Sequence, residues 1–148
     1  MKIHFFVLIL FFYGCNSAFE YKHTFTNNQW KYQDSLSFSF DNQDVTSNYK
    51  IVLKTDFTED FPFTNLYIKF RWIEPDGKTT EKLTNFVVAE PNGKWLLPKS
   101  WGTYSGEFVL NDNVKFEKKG KYQFGLTQYL REDVIQGIKN LKLQIIKK

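Results

Sequence analysis

Reactive side chains are scarce in this sequence, and their types narrow the chemistry. Cys15 is the only cysteine among 148 residues. It follows an apolar run, Phe5 to Tyr13, with Gly14 in between. The two histidines are His4 and His23. A Ser-His-Asp or Cys-His relay would have to run through His23, which lies in a leading segment, and a multi-histidine zinc site has too few ligands. No Gly-rich phosphate loop is present. Asp56, Glu59 and Asp60 form the one acidic cluster. Its spacing would suit calcium, or a pair of carboxylates across a glycosidic bond. The same spacing is ordinary in a solvated loop, and that reading is taken. No catalytic residue and no metal ligand is assigned, so the chain is not expected to be an enzyme. Among the four tryptophans, Trp72 sits on the apolar face of a strand pattern and reads as core. Trp30, Trp95 and Trp101 flank strands or turns. Beside plain packing, they are candidates for a protein interface or for stacking on a sugar ring.

The surroundings of Cys15 suggest its role. Met1-Lys2 supplies a positive start, the apolar run follows, and Gly14 is a small residue before the thiol. This is the layout of a secretory signal peptide over residues 1–14. The run is too short to span a bilayer, which takes about 20 residues. The Gly-Cys pair resembles the lipobox of bacterial lipoproteins. That resemblance implies cleavage before Cys15, a diacylglycerol on its sulfur and an acyl chain such as palmitate on the new N-terminus. One acyl chain holds a protein to a membrane only marginally, at about 0.8 kcal/mol per buried CH₂, and a second makes the attachment stable. Cys15 is the expected lipidation site. Its covalent lipid is the only added group expected, with no cofactor.

The elements behind Cys15 must form whatever the anchor carries. Removing residues 1–14 leaves 134, enough for one domain with its own core. The leader bears one lysine and no acid, so the formal net charge falls from +4 to +3. Lysines and arginines are scattered among apolar residues without a basic tract, so no nucleic acid is expected as a partner. A lone thiol offers no disulfide. No second apolar run approaches bilayer length. The 134 residues hold 12 Phe, 7 Tyr and 4 Trp, a composition that favours strands.

Residues 15–28 read as a lipidated tether, in which Phe19, Tyr21 and Phe25 alternate and can pair as an edge strand. The period is two from there on. Leu36, Phe38 and Phe40 alternate with serines, Tyr49, Ile51 and Leu53 with Lys50, Val52 and Lys54, and Leu66, Ile68, Phe70 and Trp72 with Tyr67, Lys69 and Arg71. Each pattern predicts a half-buried strand. Glu74-Pro75-Asp76-Gly77-Lys78 predicts a hairpin turn between 66–73 and 79–89. Glu90-Pro91-Asn92-Gly93-Lys94 repeats that chemistry. Lys118-Lys119-Gly120 predicts a third turn, between 114–116 and 122–126. In Gly120-Lys121-Tyr122, the tyrosine hydroxyl is placed to cap a sandwich corner. Residues 141–145 form a last strand, and only Glu132–Lys139 allows a helical turn. The expected fold is an all-β antiparallel β-sandwich of about eight strands over residues 29–148, immunoglobulin-like or jelly-roll.

Several strings together resemble the gliding-motility lipoprotein GldH family. They are Asn28-Gln29-Trp30, Asp60-Phe61-Pro62-Phe63-Thr64-Asn65-Leu66, Pro75-Asp76-Gly77, Ala89 to Leu96, Gly120-Lys121-Tyr122, Leu130-Arg131 and Gly137-Ile138. Their order and spacing cover nearly all of the chain after the leader. The resemblance implies a small, non-enzymatic envelope lipoprotein of gliding gram-negative bacteria, part of a gliding apparatus coupled to type IX secretion. The implied partners are the membrane, through the lipid anchor, and other gliding or secretion machinery proteins, with no small-molecule substrate. Asn16-Ser17-Ala18-Phe19 lacks the Lys-and-acid tract of a surface-export signal, so the expected place is the outer membrane, facing the periplasm. The alternative reading is a glycan-binding envelope lipoprotein using exposed tryptophans.

Overall fold

The computed structural model describes residues 17–148, so the expected leader and Cys15 lie outside the described residues. Eleven strands form among those residues. They are β1 (Ser17–Thr24), β2 (Gln29–Lys31), β3 (Leu36–Asn42), β4 (Asn48–Phe57), β5 (Asn65–Ile73), β6 (Thr79–Val87), β7 (Lys99–Ser100), β8 (Thr103–Lys115), β9 (Gly120–Gln128), β10 (Val134–Gln136) and β11 (Ile138–Lys147). One sheet runs β1-β11-β4-β8-β7 and the other β3-β9-β5-β6, while β2 and β10 pair as a separate ribbon. The fold is the expected all-β antiparallel sandwich.

The pairings show which sandwich it is. β5 pairs with β6, β4 with β8, β3 with β9 and β1 with β11. The chain therefore behaves as one long hairpin, folded at the β5–β6 turn, with its two arms wrapped together across both sheets. This is the jelly-roll order, with eight long strands. The tip turn has the chemistry its residues dictate. Gly77 N–H donates to Glu74 O at 2.9 Å, Glu74 N–H donates to Lys78 O at 2.8 Å, and Gly77 takes φ +88. Glu90–Lys94 repeats this geometry bond for bond.

Period two holds because the alternate residues fill one core. Leu36 and Phe40 of β3, Ile51 and Leu53 of β4, Leu66, Ile68 and Phe70 of β5, and Leu141, Leu143 and Ile145 of β11 are all buried. Rings continue the packing along the β3-β9-β5 face and, through Tyr21 of β1, across to the other sheet. Phe38 lies 4.7 Å from Tyr21 and 5.3 Å from Phe124, and Phe124 lies 5.8 Å from Phe70, all nearly parallel. Such pairs add about 0.5–1.5 kcal/mol each beyond the area they bury.

The leading segment, whose Phe19 and Tyr21 could pair as an edge strand, does so: Ser17–Thr24 lies on β11, with Phe19 and Tyr21 packed against the core. Two segments depart from the sequence expectation. Strand β10 stands where a helical turn was allowed. Its Ile135 is buried and pairs with Trp30, and Gly137 at φ +80 ends it. Strand β8 begins at Thr103 rather than 114. The polar run Asn111-Asp112-Asn113 lies inside the strand, where the register to β4 shifts.

Candidate functional site

The antiparallel order gives the sandwich two poles. Ser17 enters beside Ile146, and Thr24 ends β1 beside Asn140. The pole at Ser17 carries the β3–β4, β5–β6 and β8–β9 turns and the chain end at Lys148. The far pole carries the segments after β1, β4, β6 and β9, and the β7–β8 turn.

The entry pole is stitched by ion pairs and backbone caps. Lys118 Nζ lies 2.8 Å from Glu74 and also pairs with Asp76, Lys147 lies 2.7 Å from Asp44, and Lys148 lies 3.4 Å from Asp112. Buried Asn42 donates its amide to Phe116 O and Lys118 O at 3.1 and 3.0 Å. The Tyr122 hydroxyl caps the corner as its sequence context suggests, accepting from Lys118 N–H at 3.2 Å. Tyr122→Phe removes that acceptor. It should lower stability by about 1 kcal/mol, seen as a melting temperature lower by a few degrees.

These pairs set an acid dependence. Lys147, then Ser47 and Thr46, hold the Asp44 carboxyl well below its usual range. Lys118 does the same to Asp76, Lys142 to Glu20 and Lys99 to Glu59. A carboxylate depressed in the folded state contributes stability above its unfolded value of about 4, and loses it as the pH falls further. Urea midpoints should therefore stay flat from pH 7 to 5 and decline below about pH 4, and Asp44→Asn should flatten part of that decline. Glu20, Glu59 and Asp76 are exposed and Asp44 is only half-buried, so each contribution is small.

The acidic cluster does not converge. Asp56 accepts from Ser105 Oγ at 2.6 Å and Asn140 Nδ2 at 2.9 Å on the outer face of the five-stranded sheet. Glu59 pairs with Lys99, and Asp60 turns back onto Thr58. Among the described residues, no three His, Asp or Glu side chains are grouped to hold a metal. His23 packs edge-on against Phe25 at 4.7 Å.

The three candidate tryptophans separate sharply. Trp30 has no exposed surface. It stacks on Phe25 at 5.0 Å, and its Nε1–H donates to Asp34 O at 2.9 Å. Its burial corrects the surface role read from sequence. Trp30 flanks a strand, as the sequence suggested, but β2 turns the ring inward. Trp95 is half-buried and stacked flat on Tyr104 at 4.1 Å, which leaves it as packing rather than a free platform. Trp101 is fully exposed, at 101% of its reference area. The row of exposed rings that a glycan site would need is therefore absent among these three.

Trp101 also occupies an unusual backbone position. With Gly102 it forms the two-residue β7–β8 turn, at φ +49 and +74. Turns with two positive φ values favour Asn-Gly, and a bulky side chain there costs about 1–3 kcal/mol. Its neighbours are Lys99, whose amine lies 5.0 Å from the centre of the Tyr104 ring, and Lys139, which donates to Thr103 Oγ1 at 2.9 Å. Sequence reasoning gave Trp101 no distinction from Trp30. The following glycine was the available sign of a tip position.

Comparison with known proteins places these features in a family context. The family model described as GldH lipoprotein matches residues 17–145. A gliding motility lipoprotein GldH homolog of Christiangramia forsetii is 25% identical over 135 residues, covering 90% of this chain and 83% of that protein. The gliding motility lipoprotein GldH of Flavobacterium johnsoniae is 24% identical over 126 residues, covering 80% and 78%. Among solved structures, the infectious bursal disease virus VP2 subviral particle aligns with 88% of this chain at 14% identity and a TM-score of 0.37. This chain covers only 34% of that one, and a likeness of this size carries no argument.

Proposed function

The chain belongs to the GldH lipoprotein family, and from that premise we propose that it is a lipid-anchored, non-enzymatic component of the gliding-motility apparatus, linked to type IX secretion. The observation that carries this reading is the extent of the family match, which spans almost the whole sandwich, β1 through most of β11. The relatives' names as gliding motility lipoproteins agree with it. Cys15 supplies the attachment, through covalent acyl chains.

The outer membrane, facing the periplasm, is the location we favour. Strand β1 starts two residues after Cys15. The backbone where a surface-export tract would lie is thus already engaged with β11, at Ser17 and Phe19. Support for a non-enzymatic role comes from the carboxylates, each of which is held by its own neighbour rather than facing a shared cleft. The work left to the domain is binding by a rigid sandwich. Affinity purification of the tagged protein from detergent-solubilised membranes tests this. Gliding or type IX secretion proteins should co-purify, and a lipoprotein recovered alone at stoichiometric yield would refute the reading.

A further inference from the structure

We propose that the far pole of the sandwich is a protein-docking surface, where Trp101 inserts into an apolar pocket of a folded partner and Lys139 faces a carboxylate at the pocket's rim. This rests on the reading of Cys15 as the membrane anchor. Four non-glycine residues among those described have left-handed backbone: Asn27, Asn28, Trp101 and Arg131. All four lie in far-pole segments. Strain of this kind persists only where the surrounding structure enforces it, and it gathers at binding sites. Trp101 combines strain with full exposure, so nothing among the described residues rewards its ring. Leu96, Val87 and Val134 are exposed at the same pole. By contrast, no large exposed hydrophobic residue lies in the entry-pole turns.

The occupant follows from where the rest of the chain lies. After cleavage before Cys15, only Cys15 and Asn16 precede Ser17, a reach of about 7 Å. They enter at the opposite pole, and β1 alone separates the poles by about 25 Å, at roughly 3.3 Å per residue. Neither the chain's own N-terminus nor the bilayer that holds it can cover Trp101. A protein partner fits the chemistry. Tryptophan is among the side chains enriched as interface anchors, and it acts by filling a well-packed pocket. The charge points the same way. Lys94 and Lys99 are paired with Glu90 and Glu59, but among the described residues the Lys139 amine meets only the Thr103 hydroxyl. A carboxylate from the partner would complete it.

Photocrosslinking in intact cells, with the full-length lipoprotein, tests this. Benzoylphenylalanine is placed at Leu96 of the far pole, or at exposed Thr46 of the entry pole. The expected result is a discrete protein adduct from position 96 and none from 46, with an acidic residue in the adducted partner peptide. Trp101→Ala should lower the yield at least tenfold, and Lys139→Glu severalfold. Trp101→Asn should do the same while melting no lower than the parent, because asparagine suits that turn. This separates docking from a structural role. An adduct indifferent to Trp101, equal adducts from both poles, no protein adduct, or an adduct to glycan or lipid alone would each overturn the proposal. The adduct is read whether or not the protein's loss stops gliding, so the docking surface and the motility role fail separately.

Discussion

If Cys15 carries the lipid as proposed, Cys15→Ala should remove the protein from its place on the membrane. The reasoning is one of reach and affinity. β1 starts at Ser17, and the entry pole beside it presents paired lysines and acids rather than an apolar face. Such a surface gives a bilayer little to hold. A single acyl chain binds with an association constant of only about 10⁴ M⁻¹, and stable attachment needs a second. Without the thiol, the proposed diacylglycerol would have no point of attachment. Fractionation with intact-mass measurement checks this: the parent should carry the mass of its lipids and pellet with membranes. A Cys15→Ala protein of unchanged location would show that something else holds the domain.

Gly137→Ala should be the most damaging single methyl in the sandwich. Gly137 holds φ +80, where an alanine costs about 1–3 kcal/mol. A Cβ there would also stand 2.2 Å from Phe61 N and 2.6 Å from Phe61 Cα, both backbone atoms. Relieving that overlap costs roughly another 1–3 kcal/mol. The contact is pinned from both sides, since Gly137 O accepts from Thr58 N–H at 2.9 Å, and Phe61 packs on Phe57 and Trp95. The sum is a large share of the 5–15 kcal/mol that stabilises a typical domain. Gly93→Ala is the internal control. Its φ is +88, but nothing lies within 4 Å of the added carbon, so it bears the backbone cost alone. Thermal melts should rank parent, Gly93→Ala and Gly137→Ala in descending order. Equal melting of the two variants would remove the overlap argument.

Gly137 also shows why two separate strings of the family resemblance belong together. Gly137-Ile138 and Asp60–Leu66 are far apart in the chain, yet the first is a glycine because the second passes over it. That link is invisible in sequence, where the two strings stand apart. Alternation was legible wherever one face meets the core, as in Leu36–Phe40 and Leu66–Trp72. Both Pro-x-Gly turns were legible because their residues dictate φ. Strand order was not. Alternation tells which face a residue takes and nothing about its neighbour, and Glu20 meets Gln144 across nearly the whole chain. The burial of Trp30 and the extent of β8 before residue 114 were not legible either, since both depend on which strands they meet. The special status of Trp101 needed the backbone angles, because its type alone is shared with Trp30 and Trp95.

The measurement that tests the central claim most directly is colony spreading by a clean deletion strain. The deletion should abolish spreading, and the parent gene supplied in trans should restore it. Normal spreading by the deletion strain would contradict a role in gliding.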